Sequence, residues 1–272
     1  MSDPKNLMVF PDPDALAISA AEFIVRAARD AIDQRGRFTL ALAGGSTPEK
    51  TYRRLASSEM AGKIDWSKSY LFMGDERFVP AADPASNFGM AQRSLLNHVP
   101  VPKGNVFPVP TESRAVSVAA QQYHQTLARF FGQVGDTAPP RFDLILLGLG
   151  DDGHIASLFP GMPSLVVDDC WVTWSPPGTL PPPVDRVTMT FPVLNHARSV
   201  LFLVAGDKKS DVLHEILEGH PSVQKRPAAG IRPVAGTVTW LLDKAAASNI
   251  NSATDATLIN TDAGQKTDNP HG

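Results

Sequence analysis

The sequence predicts an α/β fold, a single domain with a mostly parallel sheet and helices on both faces. Two observations carry that expectation: four short apolar runs each end in a polar, glycine-bearing loop, and helical periodicity lies between them. A chain of 272 residues, 43% hydrophobic and 19% charged, is long and apolar enough to bury one large core.

The first element is a helix from Asp14 to Arg35, with Ile18, Ala21, Val25, Ala28 and Ile32 at helical spacing and Asp14 placed to cap its start. Phe38 to Ala43 then reads as a buried strand running into Gly44-Gly45. Pro48 opens a helix through Leu55, in a first-turn position where its missing N–H costs nothing. The same grammar recurs at Tyr70 to Met73 before Gly74-Asp75-Glu76-Arg77, and at Phe142 to Leu147 before Gly148. A fourth strand, Ser199 to Ala205, leads through Gly206-Asp207-Lys208-Lys209 into a helix over Ser210 to Leu217. Prolines crowd the segment from Pro160 to Pro192, which reads as loop with short strands around Trp171 and Val187. Past Ala247 the apolar periodicity stops, so the folded domain is placed at 1–247 and an unstructured tail at 248–272.

A net charge of -3 and the lack of any long run of lysines and arginines exclude nucleic acid as an expected partner. A phosphorylated small molecule stays open, because a few cations and backbone N–H groups hold one phosphate. The single Cys170 allows no internal disulfide and, beside Trp171, reads as a small buried hydrophobe. With neither a basic n-region nor an apolar h-region at the N-terminus, a reducing cytoplasm is the expected location. No stretch approaches the roughly 20 apolar residues of a spanning helix, so no membrane is expected as a partner.

Sheets of this kind bind ligands at the carboxyl ends of their strands, and the motifs sit there. Gly44-Gly45-Ser46-Thr47-Pro48 lies between a strand and a helix start, which suits an anion or, equally, a tight turn with a hydroxyl cap. It lacks the Gly-Lys-Ser/Thr ending of a nucleotide-binding P-loop. Gly148-Leu149-Gly150-Asp151-Asp152-Gly153 formally matches the dinucleotide fingerprint. Asp151 and Asp152 would place negative charge against the pyrophosphate, and Pro160 to Pro163 interrupts the crossover helix, so no dinucleotide cofactor is expected.

Asp152 and His154, two positions apart on that loop, instead offer an imidazole that titrates near neutrality and a carboxylate to hold its ring. The other six histidines read as structural or solvated. Asp75-Glu76-Arg77 gathers carboxylates, but Arg77 sets a cation among them and no His or Cys pair has ligand spacing, so no metal is expected. Arg77 pairs either with a carboxylate, as a structural salt bridge, or with an anionic substrate. Lys208 and Lys209 stand at a helix start, where cations are unfavourable unless an anion binds; Lys209 reads as a solvated side chain.

Taken in order, the blocks Leu40 to Pro48, Gly74 to Asn87, Gly148 to Gly161, Arg186 to Leu194, Gly206 to Lys208 and Pro227 to Trp240 resemble the 6-phosphogluconolactonase family, similar in fold to glucosamine-6-phosphate deaminases. The resemblance implies a Rossmann-like fold. It also implies hydrolysis of 6-phospho-D-glucono-1,5-lactone in the oxidative pentose phosphate pathway. No cofactor is expected, and the chain is expected to be a monomer or small homo-oligomer. Carried over, the family pattern implies that Gly44, Gly45, Ser46, Thr47, Arg186 and Lys208 hold the sugar phosphate. His154 is implied as the base, with Asp75, Arg77 and Asp152 around the reacting end. In Pro227 to Pro233, alanine and glycine stand where a serine and a larger residue are expected, which weakens any polar role for that loop.

Two other functions compete. Deaminases resembling this chain read Asp-Gly-His-Ile-Ala-Phe-Asn-Glu-Pro-Gly where it reads Asp152 to Gly161, so Phe159 replaces a carboxylate that isomerisation requires. A non-catalytic sugar-phosphate-binding regulator would keep the phosphate residues but has no use for His154 with Asp152.

Overall fold

In the computed structural model, which describes residues 6–132, 138–178 and 182–251, the chain alternates strands and helices. It opens with β1 (Asn6–Phe10), α1 (Pro13–Arg35), β2 (Phe38–Leu42), α2 (Ser46–Leu55), β3 (Ser69–Met73), β4 (Asp75–Arg77) and α3 (Asn87–Ala91). Then come β5 (Val106–Phe107), α4 (Val116–Phe131), β6 (Leu144–Leu147), β7 (Val172–Ser175) and β8 (Arg186–Met189). It closes with α5 (Phe191–His196), β9 (Ser199–Val204), α6 (Ser210–Glu218) and β10 (Thr237–Asp243).

Seven strands form one parallel sheet in the order β1-β10-β9-β6-β2-β3-β5. Every residue of β2 and β6 is buried, and because successive side chains point to opposite faces, both faces of the sheet centre are covered. From β2 the chain winds outward through β3 to β5, then returns to β6 on the other side and winds outward again. The crevice beyond β2 and β6 is therefore the point where strand order reverses. Pairing between these two strands stops at Ala41↔Ile145, and their loops part above it.

Several sequence expectations need correction. Asp12, not Asp14, caps α1: its carboxylate accepts from the Asp14 and Ala15 amides at 2.9 and 2.8 Å, and Pro13 takes the first helical position. Helix α2 starts at Ser46, two residues before Pro48. Asp75 to Arg77 is not a loop but a strand of a second, antiparallel sheet, β4-β8-β7, whose other members are the short strands expected near Trp171 and Val187. Helix α4 (Val116–Phe131) had no place in the sequence reading. Packing continues past Ala247: Ile250 is buried, and Asn249 and Asn251 bond to Asp211 and Glu218 of α6. The expected tail otherwise falls on 252–272, outside the described residues.

Two buried tyrosines close the strands that carry site loops. The Tyr52 hydroxyl of α2 accepts from the Ala43 amide and donates to the Ala43 carbonyl, both at 2.9 Å. The Tyr123 hydroxyl of α4 accepts from the Met73 amide at 2.8 Å and reaches the Met73 carbonyl at 3.0 Å. Ala43 and Met73 follow or end strands whose ladders run out there, so each phenol substitutes for a missing neighbour. Burial pushes both phenols up, which keeps their protons in place.

Tyr52→Phe and Tyr123→Phe should therefore destabilise the fold, each orphaned buried group costing about 1–3 kcal/mol. Urea unfolding checks this; an unchanged midpoint for either would mean that the backbone finds another partner.

Candidate active site

At the reversal point a cavity of about 300 Å³ opens between the loops after β2, β6 and β9 and the strand β4. Its floor is the strand ends, Leu42 and Ala43, Leu146 and Leu147, and Leu203 to Ala205.

Gly44, Gly45, Ser46 and Thr47 form one wall. Gly45 stands at the N-cap of α2 with φ of 103°, a backbone that side chains avoid, and no side chain caps the helix. A ten-residue helix therefore turns an uncapped, partially positive end into the cavity.

The facing wall is the loop after β6. Nδ1 of His154 lies 2.6 Å from Oδ1 of Asp152, which also accepts the His154 amide at 3.0 Å. With Asp152 ionised, Nδ1 is the donor of this bond, and Nε2, the acceptor nitrogen in the neutral ring, bonds to none of the described residues. A Cβ on Gly150 would sit 2.0 Å from Nδ1, so only glycine lets the ring fold back onto the carboxylate. Burial by itself would raise the Asp152 carboxyl, but the hydrogen bond and charge of His154 outweigh it and hold the group below its ordinary value. Asp152 does not line the cavity; it acts on whatever binds there through His154.

Strand alternation sorts the acidic cluster. Asp75 and Arg77 line the cavity, whereas Glu76 points the other way and accepts the Arg77, Asn87 and Phe88 amides at 2.7 Å each. Burial pushes Glu76 up to about 7, against those amides; it ties β4 to the start of α3 and brings Asn87 to the cavity. Asp75 is fixed by Ser157, whose hydroxyl donates to Oδ2 at 2.7 Å.

Arg77 and Arg186 oppose each other in the β4–β8 register. Like charges facing across a ladder are unfavourable, and neither makes an ion pair within 4.0 Å among the described residues. Each donates instead to a carbonyl, Arg77 to Ala85 at 2.7 Å and Arg186 to Pro182 at 3.2 Å, and both Nε atoms are buried without a partner. Burial holds the Arg186 guanidinium below its ordinary value, with Asp75 opposing that and Arg77 adding to it. Two cations held this way favour an anion between the walls. Phe159 packs between the sides: its ring centre is 4.5 Å from that of His154 and 5.2 Å from the Arg186 guanidinium carbon.

Of the two lysines, the cavity takes the one read as solvated. Lys209 lines it and pairs with Asp151, while Lys208 is exposed and lies outside the lining, because the turn that starts at Asp207 rotates it outward. The Pro227 segment, whose alanines and glycine weaken any polar role, sits beside a brace. Arg226 grips Glu215 of α6 at 3.0 and 3.2 Å and donates to the Asp152 carbonyl at 3.1 Å, and Ala228 donates to Gly153. Arg226, Asn87 and Ser157 had no role in the sequence reading; only their tertiary neighbours mark them. Among the described residues no group of three or more His, Cys, Asp or Glu converges as a metal site, and no helix is long and apolar enough to cross a membrane.

Comparison with known proteins places these features in context. The model of the glucosamine-6-phosphate isomerases/6-phosphogluconolactonase family matches residues 11–240. The chain is 44% identical to a 6-phosphogluconolactonase of Synechocystis sp. over 81% of this chain and 88% of that one. It is 40% identical to the Rattus norvegicus 6-phosphogluconolactonase over 90% and 93%. Among solved structures, 6-phosphogluconolactonase from Trypanosoma brucei superposes with a TM-score of 0.80 at 34% identity, covering 92% of this chain and 100% of that one. A monomeric glucosamine-6-phosphate deaminase superposes at 0.74 with 23% identity over 90% and 99%, a likeness of fold alone.

Because Asp152 ionises below its unfolded value, its contribution to stability is present at neutral pH and is lost as pH falls through the folded-state value. Asp152→Asn should thus be less stable than the parent at neutral pH, with the gap closing at acid pH. A gap that stays constant in urea titrations across that range would place the cause elsewhere than in the His154 contact.

Proposed function

The chain belongs to the glucosamine-6-phosphate isomerase/6-phosphogluconolactonase family, and we propose that within it this protein hydrolyses 6-phospho-D-glucono-1,5-lactone to 6-phospho-D-gluconate, with His154 as general base. The observation that carries the reading is an imidazole whose Nδ1 is held by Asp152 at 2.6 Å and which lines a cavity walled by an uncapped helix end and two arginines.

In this reading the 6-phosphate sits on Gly44, Gly45, Ser46 and Thr47, where first-turn amides and the helix dipole favour an anion. Arg186 joins that grip, and Lys209 takes the place expected of Lys208, since it is the lysine at the cavity wall. Binding energy from the phosphate positions C1 near His154. Nε2 takes a proton from water as the water oxygen bonds to C1, and Arg77 faces the oxyanion that develops there. The tetrahedral intermediate collapses by breaking the bond from C1 to the ring oxygen, and the imidazolium returns its proton to that oxygen, which becomes a hydroxyl. The new carboxylic acid loses its proton to solvent. Asp152 keeps Nδ1 as donor throughout and stabilises the imidazolium. Asp75, held by Ser157, balances the arginine pair.

The deaminase alternative asks for more proton transfers than this wall supplies. Where those enzymes carry a carboxylate, Phe159 is buried against the imidazole and offers no proton. The protein should therefore release no ammonia from glucosamine 6-phosphate.

The deciding assay follows 6-phosphogluconolactone by rapid mixing against buffer hydrolysis. His154→Asn should lower kcat by about 10²–10⁴-fold with KM far less affected; near-normal kcat in a folded His154→Asn protein would show that another group is the base. Lys209→Ala and Arg186→Ala should each cost roughly 1.5–3 kcal/mol in kcat/KM for the phosphorylated lactone, and little for the unphosphorylated one. Lys208→Ala should do much less than Lys209→Ala, and the reverse order would restore Lys208 to the site.

A further inference from the structure

Asp151 has no part in the chemistry just described, yet it lines the same cavity and its Oδ1 holds the Nζ of Lys209. The two side chains are unequal: Lys209 is 22% exposed and Asp151 47% exposed, so the lysine is anchored at the wall while the carboxylate reaches it from the solvent side. Asp151 is also next to Asp152, which is already committed to His154. The fold of the loop does not depend on the Asp151 charge: the loop is fixed by the backbone bonds Gly150 to His154 and Gly153 to Gly150, and by Arg226 on the Asp152 carbonyl.

We propose that Asp151 is an internal competitor for the substrate's phosphate, a carboxylate that occupies Lys209 in the empty site, must yield it on binding, and thereby sets a limit on how tightly phosphorylated ligands are retained. This rests on the phosphate grip proposed above. The reasoning is electrostatic. A dianionic phosphate brought to Lys209 meets a like charge on Asp151 and has to replace an ion pair already formed, so affinity is lower than the wall's cations alone would give. The restraint matters most for the product, which keeps the phosphate and gains a carboxylate when the ester opens. An enzyme that bound both anionic ends without opposition would release that product slowly. Asp151 also disfavours a pyrophosphate-bearing ligand on a loop whose glycine pattern formally allows one.

The test is calorimetric titration of inorganic phosphate into the parent protein, Asp151→Asn, Asp151→Ser and Lys209→Ala, with KM for the lactone and product inhibition by 6-phosphogluconate measured on the same proteins. Both Asp151 variants should bind phosphate about five- to tenfold more tightly, a modest factor because the pair is partly exposed. KM and the product inhibition constant should fall with it, and the gain should shrink as salt rises. Weaker or unchanged phosphate binding in both Asp151 variants, with Lys209→Ala weakened as expected, would overturn the inference and make Asp151 a support that holds Lys209 in place. Parent-like phosphate binding by Lys209→Ala would instead overturn the phosphate grip itself.

Discussion

The parting of β2 from β6 above Ala41 and Ile145 is the constraint on which the site depends. Two parallel strands whose chains leave in opposite directions cannot keep their ladder to the end, and the crevice between them exposes backbone groups that need partners. On the β2 side the answer is Tyr52, which satisfies both polar groups of Ala43 and leaves the next residues free to turn into α2. On the β6 side it is a glycine-rich loop closed on itself by bonds between Gly150, Gly153 and His154. The uncapped end of α2 and the imidazole face each other because both loops start from the same break in the sheet.

The charges that line the cavity are incompletely paired among the described residues. Arg77 and Arg186 face each other with unpartnered Nε atoms, Asp75 answers them from one side, and Lys209 leans on Asp151. Such an arrangement costs stability through like-charge contact and buried donors without acceptors, and it persists because the second sheet holds β4 and β8 in register. The small sheet therefore carries the facing arginines Arg77 and Arg186, while the large sheet carries the uncapped start of α2 and the His154 loop.

The loop that bears Asp152 and His154 is also held from behind. Arg226 links Glu215 of α6 to the Asp152 carbonyl, and α6 follows the turn that bears Lys209. The lysine at one wall and the Asp152–His154 pair at the other are thus tied through a single helix. That linkage gives the segment before β10 a structural purpose that its alanines and glycines do not display.

The sequence by itself determined the parallel sheet, the carboxyl-end placement of its polar loops, and His154 with Asp152, because these are local matters: runs of buried residues, glycines at strand ends, and two side chains close along the chain. It also carried the resemblance that family membership bears out. Which neighbouring side chain meets the cavity depends instead on packing between distant segments. Glu76 turns away while Asp75 and Arg77 turn in, because β4 is a strand whose partner β8 lies far along the chain. Lys209 rather than Lys208 reaches the wall for a similar reason, a one-residue difference in rotation set by the turn at Asp207. Arg226 and Ser157 matter through partners 74 and 82 positions away. Periodicity and local spacing register a side chain's nearest neighbours along the chain, whereas the direction it finally takes is fixed by packing against segments that sequence distance conceals.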